Sequence, residues 1–206
     1  MKVVALDKCP RIETDRLVLR KWEPRDLDGL YRLNTDPKVG EFFRTLNSPE
    51  ETPLLLEVHL LKQQKDGFCF PVIEDRATGA FLGFCGFNVP LYQELMFFEP
   101  CIEMGWCLIP EAWGKGIAVE AANIWLKFGF ETLQLEEIVS FTVVQNHRSR
   151  RVMDKLGMVH DPAEDFDFPG VETDDPLCRH ALYRLSKERY FRRLNDRDID
   201  REMSSG

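Results

Sequence analysis

At 206 residues the chain is long enough for one well-filled hydrophobic core and short for two, so a single domain is expected. Its apolar content of 44% and charged content of 30% run along the whole length, which excludes a disordered class. The formal charge of -8 speaks against nucleic acid as the main partner, since phosphate binding calls for clustered Lys and Arg; it suits a cationic amine, or plain solubility.

Near the N-terminus, Val3-Val4-Ala5-Leu6 is the only apolar stretch before Asp7 and Lys8. It is too short for a signal-peptide core or a membrane span, so a cytoplasmic protein with no membrane partner is expected. Residues 16–22 alternate polar and apolar and predict a first strand. Residues 24–33 carry Leu27, Leu30 and Tyr31 at helical spacing until Asp36-Pro37 breaks the pattern. Ser48-Pro49-Glu50-Glu51 supplies a cap, a proline for the first helical position and first-turn acids, opening a second helix that stops at Asp66-Gly67. Residues 68–73 and 81–89 predict two strands joined by a hairpin loop at 75–79. Further strands are expected at 101–109, 138–144, from Val159 onward and at 179–185, with helices at 117–130 and 146–156 and a charged helical tail over 186–201. The order β-α-α-β-β-β-α-β-α-β-β implies an α/β domain built on a mixed sheet with helices on both faces.

No CxxC pair joins Cys9, Cys69, Cys85, Cys101, Cys107 and Cys178, and no HExxH involves His59, His147, His160 or His180, so no metal site is expected. Cysteines inside apolar runs, such as Cys85 and Cys107, read as small core hydrophobes.

The segment 109–118 leaves an apolar strand, turns over Trp113-Gly114-Lys115-Gly116 and enters a helix with no polar N-cap. Glycines let several backbone N–H groups converge, and the helix N-terminus adds partial positive charge, which together make a cradle for an anion such as a pyrophosphate. Taken alone, the turn also fits a structural role. It lacks the third glycine of a dinucleotide fingerprint and the full P-loop pattern. A stripe of Ala118, Ala121, Ala122, Trp125, Phe128 and Gly129 lets this helix lie close to the sheet.

Three motifs occur in order: Glu103-Met104-Gly105-Trp106-Cys107-Leu108-Ile109-Pro110, then Trp113 to Ala121, then Asn146 to Met158. Together they resemble the GNAT superfamily of N-acetyltransferases, and within it the RimJ/RimL-like branch, some members of which acetylate N-terminal amines of ribosomal proteins. The resemblance covers residues 10–188 as one domain, with 189–206 as a charged tail, and implies a largely antiparallel sheet of about seven strands. It implies acetyl-CoA as co-substrate, an amine as acceptor, and a monomer or homodimer. By the same resemblance, the backbone of Trp106, Cys107, Leu108 and Ile109 holds the pantetheine arm. The amides of Trp113, Gly114, Lys115, Gly116, Ile117 and Ala118 take the pyrophosphate. Glu111 departs from the Gln or Arg of many relatives; its carboxylate weakens the local field, for which Lys115 compensates in part.

Amide formation from a thioester needs a neutral amine, so a carboxylate base is useful at neutral pH. Glu103 lies in an apolar strand, where burial raises a carboxyl pKa; its position resembles the glutamate base of some relatives, although an exposed strand residue is an equal reading. Asn146 reads as the N-cap of the helix that ends at Gly157, and the resemblance adds a contact to the CoA arm. Ser149 either serves the CoA sulfur as catalytic acid or hydrogen-bonds local backbone. Met153 stands where many relatives place a tyrosine acid, which leaves the acid open among Ser149, a water or none. A non-catalytic acyl-CoA sensor and, from the glycine turn alone, a phosphotransferase are the competing readings. The stretch 161–175 holds seven acidic residues and no Lys or Arg; it is a solvated loop or, by the resemblance, a border of the acceptor cleft that draws in a cation. Phe42 and Phe43 wall that cleft or pack as core.

Overall fold

The structure is a computed structural model describing residues 7–43, 50–90 and 101–204. Its strands are β1 (Ile12–Glu13), β2 (Leu17–Arg20), β3 (Val72–Asp75), β4 (Phe81–Asn88), β5 (Glu103–Leu108), β6 (Glu137–Val143), β7 (Val159–His160), β8 (Phe166–Asp167) and β9 (Arg179–Ser186). The helices are α1 (Leu27–Thr35), α2 (Pro37–Gly40), α3 (Thr52–Asp66), α4 (Ile117–Lys127), α5 (His147–Leu156) and α6 (Lys187–Ser204). Among the described residues one sheet runs β1-β2-β3-β4-β5-β6-β9-β7, with β8 also on β9, and every pairing is antiparallel except β5 with β6. The expected order of the longer elements is found, and the two-residue strands β1 and β8 and the one-turn α2 are additional.

Period-two alternation along β4 gives each face of the sheet its helical layer. Phe84 meets Trp22 and His59 of α3 on one face; Phe87 meets Trp125 of α4 on the other. Leu19, Ile73, Cys85, Met104 and Ile138 are fully buried between these layers. Cys85 and Cys107 belong to this core, and burial pushes the Cys107 thiol up to about 12, so it stays protonated.

Three local expectations change. Ser48 and Pro49 lie outside the described residues, and α3 begins at Thr52 with Pro53 in its first turn. The strand expected over 68–73 starts only at Val72, because the Trp22 indole N–H donates to the carbonyls of Cys69 at 2.9 Å and Phe70 at 3.0 Å, and Phe70 has a φ of 39°. The helix expected to reach 130 ends as a wider turn over Phe128–Thr132. The charged tail is a helix continuing straight from β9. Its Tyr190 stacks on Phe130 at 4.8 Å, and Arg189 donates to the Gly157 carbonyl at 2.9 Å.

Candidate active site

The site lies where the sheet comes apart. β5 and β6 run parallel and pair at Glu103 and Val139, and among the described residues β5 beyond Glu103 has no strand paired to it on the β6 side. On its other side β5 is paired with β4 from Glu103 to Leu108. Backbone groups alternate between neighbours along a strand. The Ile109 amide donates to the Leu82 carbonyl on β4 at 3.0 Å, and the Ile102 carbonyl accepts from Val139 on β6 at 3.0 Å. Odd-numbered residues of β5, Cys107 included, therefore turn their backbone groups to β4, and Trp106 and Leu108 turn theirs into the gap. The Leu108 carbonyl accepts from the Trp113 indole at 2.8 Å, which fastens the following turn to the strand.

That turn passes through Gly114 at φ 72° and Gly116 at φ 76°, a region favouring glycine. A Cβ on Gly114 would meet nothing within 4 Å, so the turn is open to a ligand. Gly116 caps α4 without a side chain, and the first intrahelical bond runs from the Glu120 amide to the Gly116 carbonyl at 3.0 Å. The amides of Ile117, Ala118 and Val119 thus have no partner within the helix. The Trp113 amide is different: it donates to the Pro110 carbonyl at 3.1 Å, which removes it from the expected phosphate donors. On the outer side Arg16, the residue before β2, pairs with Glu120 and donates to the Lys115 carbonyl at 3.2 Å, which holds the turn in place.

A cavity of about 430 Å³ opens over this turn and is rimmed by Lys38, Arg148, Arg151 and Lys155. The Arg148 guanidinium sits over the Trp113 ring at 4.6 Å. Lys115 and Glu111 are exposed outside the lining, so the cations come from α2 and α5 and not from the turn. Cationic side chains, free helix amides and an open glycine turn fit a chain of phosphates.

Asn146 caps α5: its side chain accepts from the Ser149 amide at 3.1 Å and donates to Thr142 Oγ1 at 3.1 Å. Gly157, at φ 78°, closes the helix, with the Met158 amide donating to the Met153 carbonyl at 3.1 Å. Ser149 borders both this cavity and a second one of about 540 Å³, and so do Phe42, Phe43 and Trp106. Met153, 1% exposed, lines the second cavity and brings no proton to it.

Glu103 opens the second cavity's floor. Asn88 Nδ2 donates to its Oε2 at 3.0 Å, and burial pushes the carboxyl up to about 7 against the opposing pull of that bond and of Lys62. Behind Asn88 stand Cys69, with Sγ 3.8 Å from Asn88 Oδ1, and His59, with Nδ1 3.1 Å from that sulfur. His59 is held neutral, its pKa lowered to about 4 by burial and by Lys62. This combination of a raised carboxyl and a phosphate-fitting cavity meeting at one strand can bring an anionic carrier and an amine together.

A family model for the acetyltransferase (GNAT) domain matches residues 16–159. The chain belongs to the GNAT acetyltransferase superfamily. It is similar to YnaD of Bacillus subtilis (strain 168), an uncharacterized N-acetyltransferase, with 31% identity over 151 residues, 71% of this chain and 81% of that protein. Among solved structures, an acetyltransferase from Agrobacterium tumefaciens str. C58 superposes with a TM-score of 0.68 at 26% identity, covering 85% of this chain and 94% of that one. A spermidine N-acetyltransferase from Vibrio cholerae, in complex with CoA and spermine, shares the fold at 18% identity with a TM-score of 0.64, covering 86% and 99%.

In this GNAT chain several residues reach the site without having been singled out from the sequence. Arg148 and Arg151 stand inside the third motif, and their i, i+3 spacing on one face of α5 was a readable signal. Asn88, Lys62 and Phe70 carry no such signal, since only the tertiary fold brings them to Glu103. The acidic stretch 161–175 does border the second cavity, but it contributes Phe168 and Val171. Five of its seven carboxylates are engaged elsewhere, Glu164 with Arg184, Asp165 with His160, Asp167 with Arg179, and Asp161 and Asp175 with nearby amides, while Glu172 and Asp174 are exposed outside the lining.

Proposed function

We propose that the chain transfers an acetyl group from acetyl-CoA to a primary amine. The observation that carries this reading is the meeting of the two cavities at Trp106 and Ser149, one fitted to phosphates and the other floored by Glu103. Acetyl-CoA, when bound, supplies the acetyl group as an activated thioester. The free amides of Ile117 and Ala118, the Gly114–Gly116 turn and the cations Arg148 and Arg151 would hold its phosphates. The gap-facing backbone of Trp106 and Leu108 would hold its arm.

Glu103 receives the proton of the acceptor ammonium, directly or through water, so that a neutral amine faces the thioester. Asn88 keeps the carboxylate aimed into the cavity by donating to Oε2. Ser149 stands at the junction as a hydroxyl for the departing sulfur. Much of the acceleration comes from holding two reactants in one geometry. The three motifs favour the RimJ/RimL-like branch, whose acceptors include protein N-termini, whereas the spermidine enzyme named above takes a small amine.

Release of thiol from acetyl-CoA, followed across a panel of amines, tests this reading. Turnover that is lost in Glu103→Gln supports it. A second reading, a CoA-binding module without turnover, follows from Met153 on the wall of the second cavity, and tight CoA binding with no thiol release on any amine would establish it.

A further inference from the structure

The second cavity is far from uniform in its chemistry. Its walls are aromatic: Phe70, Phe84, Trp106, Phe141 and Phe168 all face it. Phe70 and Phe84 stack at 5.5 Å, and Phe141 and Phe168 approach at 6.3 Å from the opposite side of the β5–β6 gap. Among the described residues Glu103 is the only carboxylate in the lining. Lys62 is in the same lining and is held by an ion pair to Asp66 at 3.3 Å and by donation to the Val89 carbonyl at 2.5 Å.

We infer that the acceptor is a monoamine carried on an aromatic or aliphatic body, its ammonium at Glu103 and its body against the phenylalanine walls. This rests on the acetyl-transfer reading and narrows it. One carboxylate satisfies one ammonium, and a second cationic centre would add to the charge of Lys62 with no further carboxylate among the described lining residues. The acidic loop places none in that lining: it contributes Phe168 and Val171, while Glu164 and Asp167 pair with arginines at the surface and Glu172 and Asp174 are exposed. A peptide fits no better. Its backbone needs hydrogen-bonding partners, yet Asn88 is committed to Glu103, Thr142 accepts from Asn146 and His180 Nδ1 bonds the Cys178 carbonyl, which leaves Ser140, Ser149 and the other His180 nitrogen for a whole backbone. Apolar walls with one placed polar group are the usual make-up of a small-molecule pocket, and a volume of about 540 Å³ falls in that size class.

The test gives the protein acetyl-CoA with 2-phenylethylamine, spermidine or a trialanine peptide in separate reactions and measures released thiol. The expected result is a kcat/KM for 2-phenylethylamine at least tenfold above the other two, the size of discrimination that a fitted apolar pocket gives. Preference for spermidine or for the peptide would overturn the inference while leaving acetyl transfer standing. No thiol release with any amine, in protein that binds CoA by calorimetry, overturns the transfer reading and this inference with it. Phe168→Asp should lower kcat/KM for 2-phenylethylamine about tenfold, with CoA affinity reporting an intact fold. Lys62→Met should raise the ratio of spermidine to 2-phenylethylamine turnover at least fivefold. An unchanged kcat/KM in Phe168→Asp together with an unchanged ratio in Lys62→Met would overturn the assigned walls.

Discussion

Glu103 combines two properties that a single substitution separates. Removal of a positioned base typically costs 10²-fold or more, so Glu103→Gln is expected to lower kcat/KM by at least about 10²-fold and to erase a rise in rate centred near pH 7. The same variant has a stability signature. Because the folded carboxyl titrates near 7 and the unfolded one near 4.5, both states are protonated below pH 4.5 and the group has no effect there. Between these values the unfolded chain alone ionises, and by pH 8 the folded state carries a charge that costs on the order of 3 kcal/mol, at about 1.4 kcal/mol per pH unit. Glu103→Gln should therefore raise the melting temperature at pH 8 and leave it unchanged near pH 4; a rise at both would assign the effect to packing. At the glycine turn, Gly114→Val imposes a β-branched residue at φ 72°, with a local cost of about 1–2 kcal/mol. About tenfold weaker CoA binding in a folded variant is expected, as read by calorimetry.

The elements around the site differ in how far the chain's local pattern announces them. α5 is written out locally: Asn146 as cap, Gly157 as terminator and a strongly amphipathic run between them. Asn146→Ala should cost about 1 kcal/mol of stability by urea unfolding, since it leaves the Ser149 amide without its acceptor. The glycine turn is likewise legible, because φ values above zero require those residues. The stretch before β3 is not. Residues 68–73 have the composition of a strand, and what prevents one is the indole of Trp22, some 48 positions away, taking the Phe70 carbonyl. Glu103 was ambiguous for the same reason, since its burial depends on Asn88, Lys62 and the aromatic walls, which no spacing within β5 encodes.

Across the whole molecule, a buried ionic cluster ties the N-terminal strands together: Arg20 pairs with Asp26 and Glu74, both at 2.6 Å, and all three are nearly inaccessible. Arg20→Met would leave buried Asp26 without its cation and Glu74 with only the exposed Arg25 at 3.2 Å, a loss of about 3–5 kcal/mol measurable as a lower urea midpoint. The order of elements was readable because each is long and periodic, whereas the point at which the sheet opens is set by how β5 and β6 diverge after one shared register position. That divergence has a consequence for exchange with solvent. Among the described residues the amides of Trp106 and Leu108 face no strand, so in the free protein they should trade hydrogen for deuterium far faster than that of Cys107, which is directed to β4 in the same strand. A ligand that lies along the gap would act as a borrowed strand, and adding CoA should slow Trp106 and Leu108 selectively, erasing the even-odd alternation that the empty groove imprints on β5.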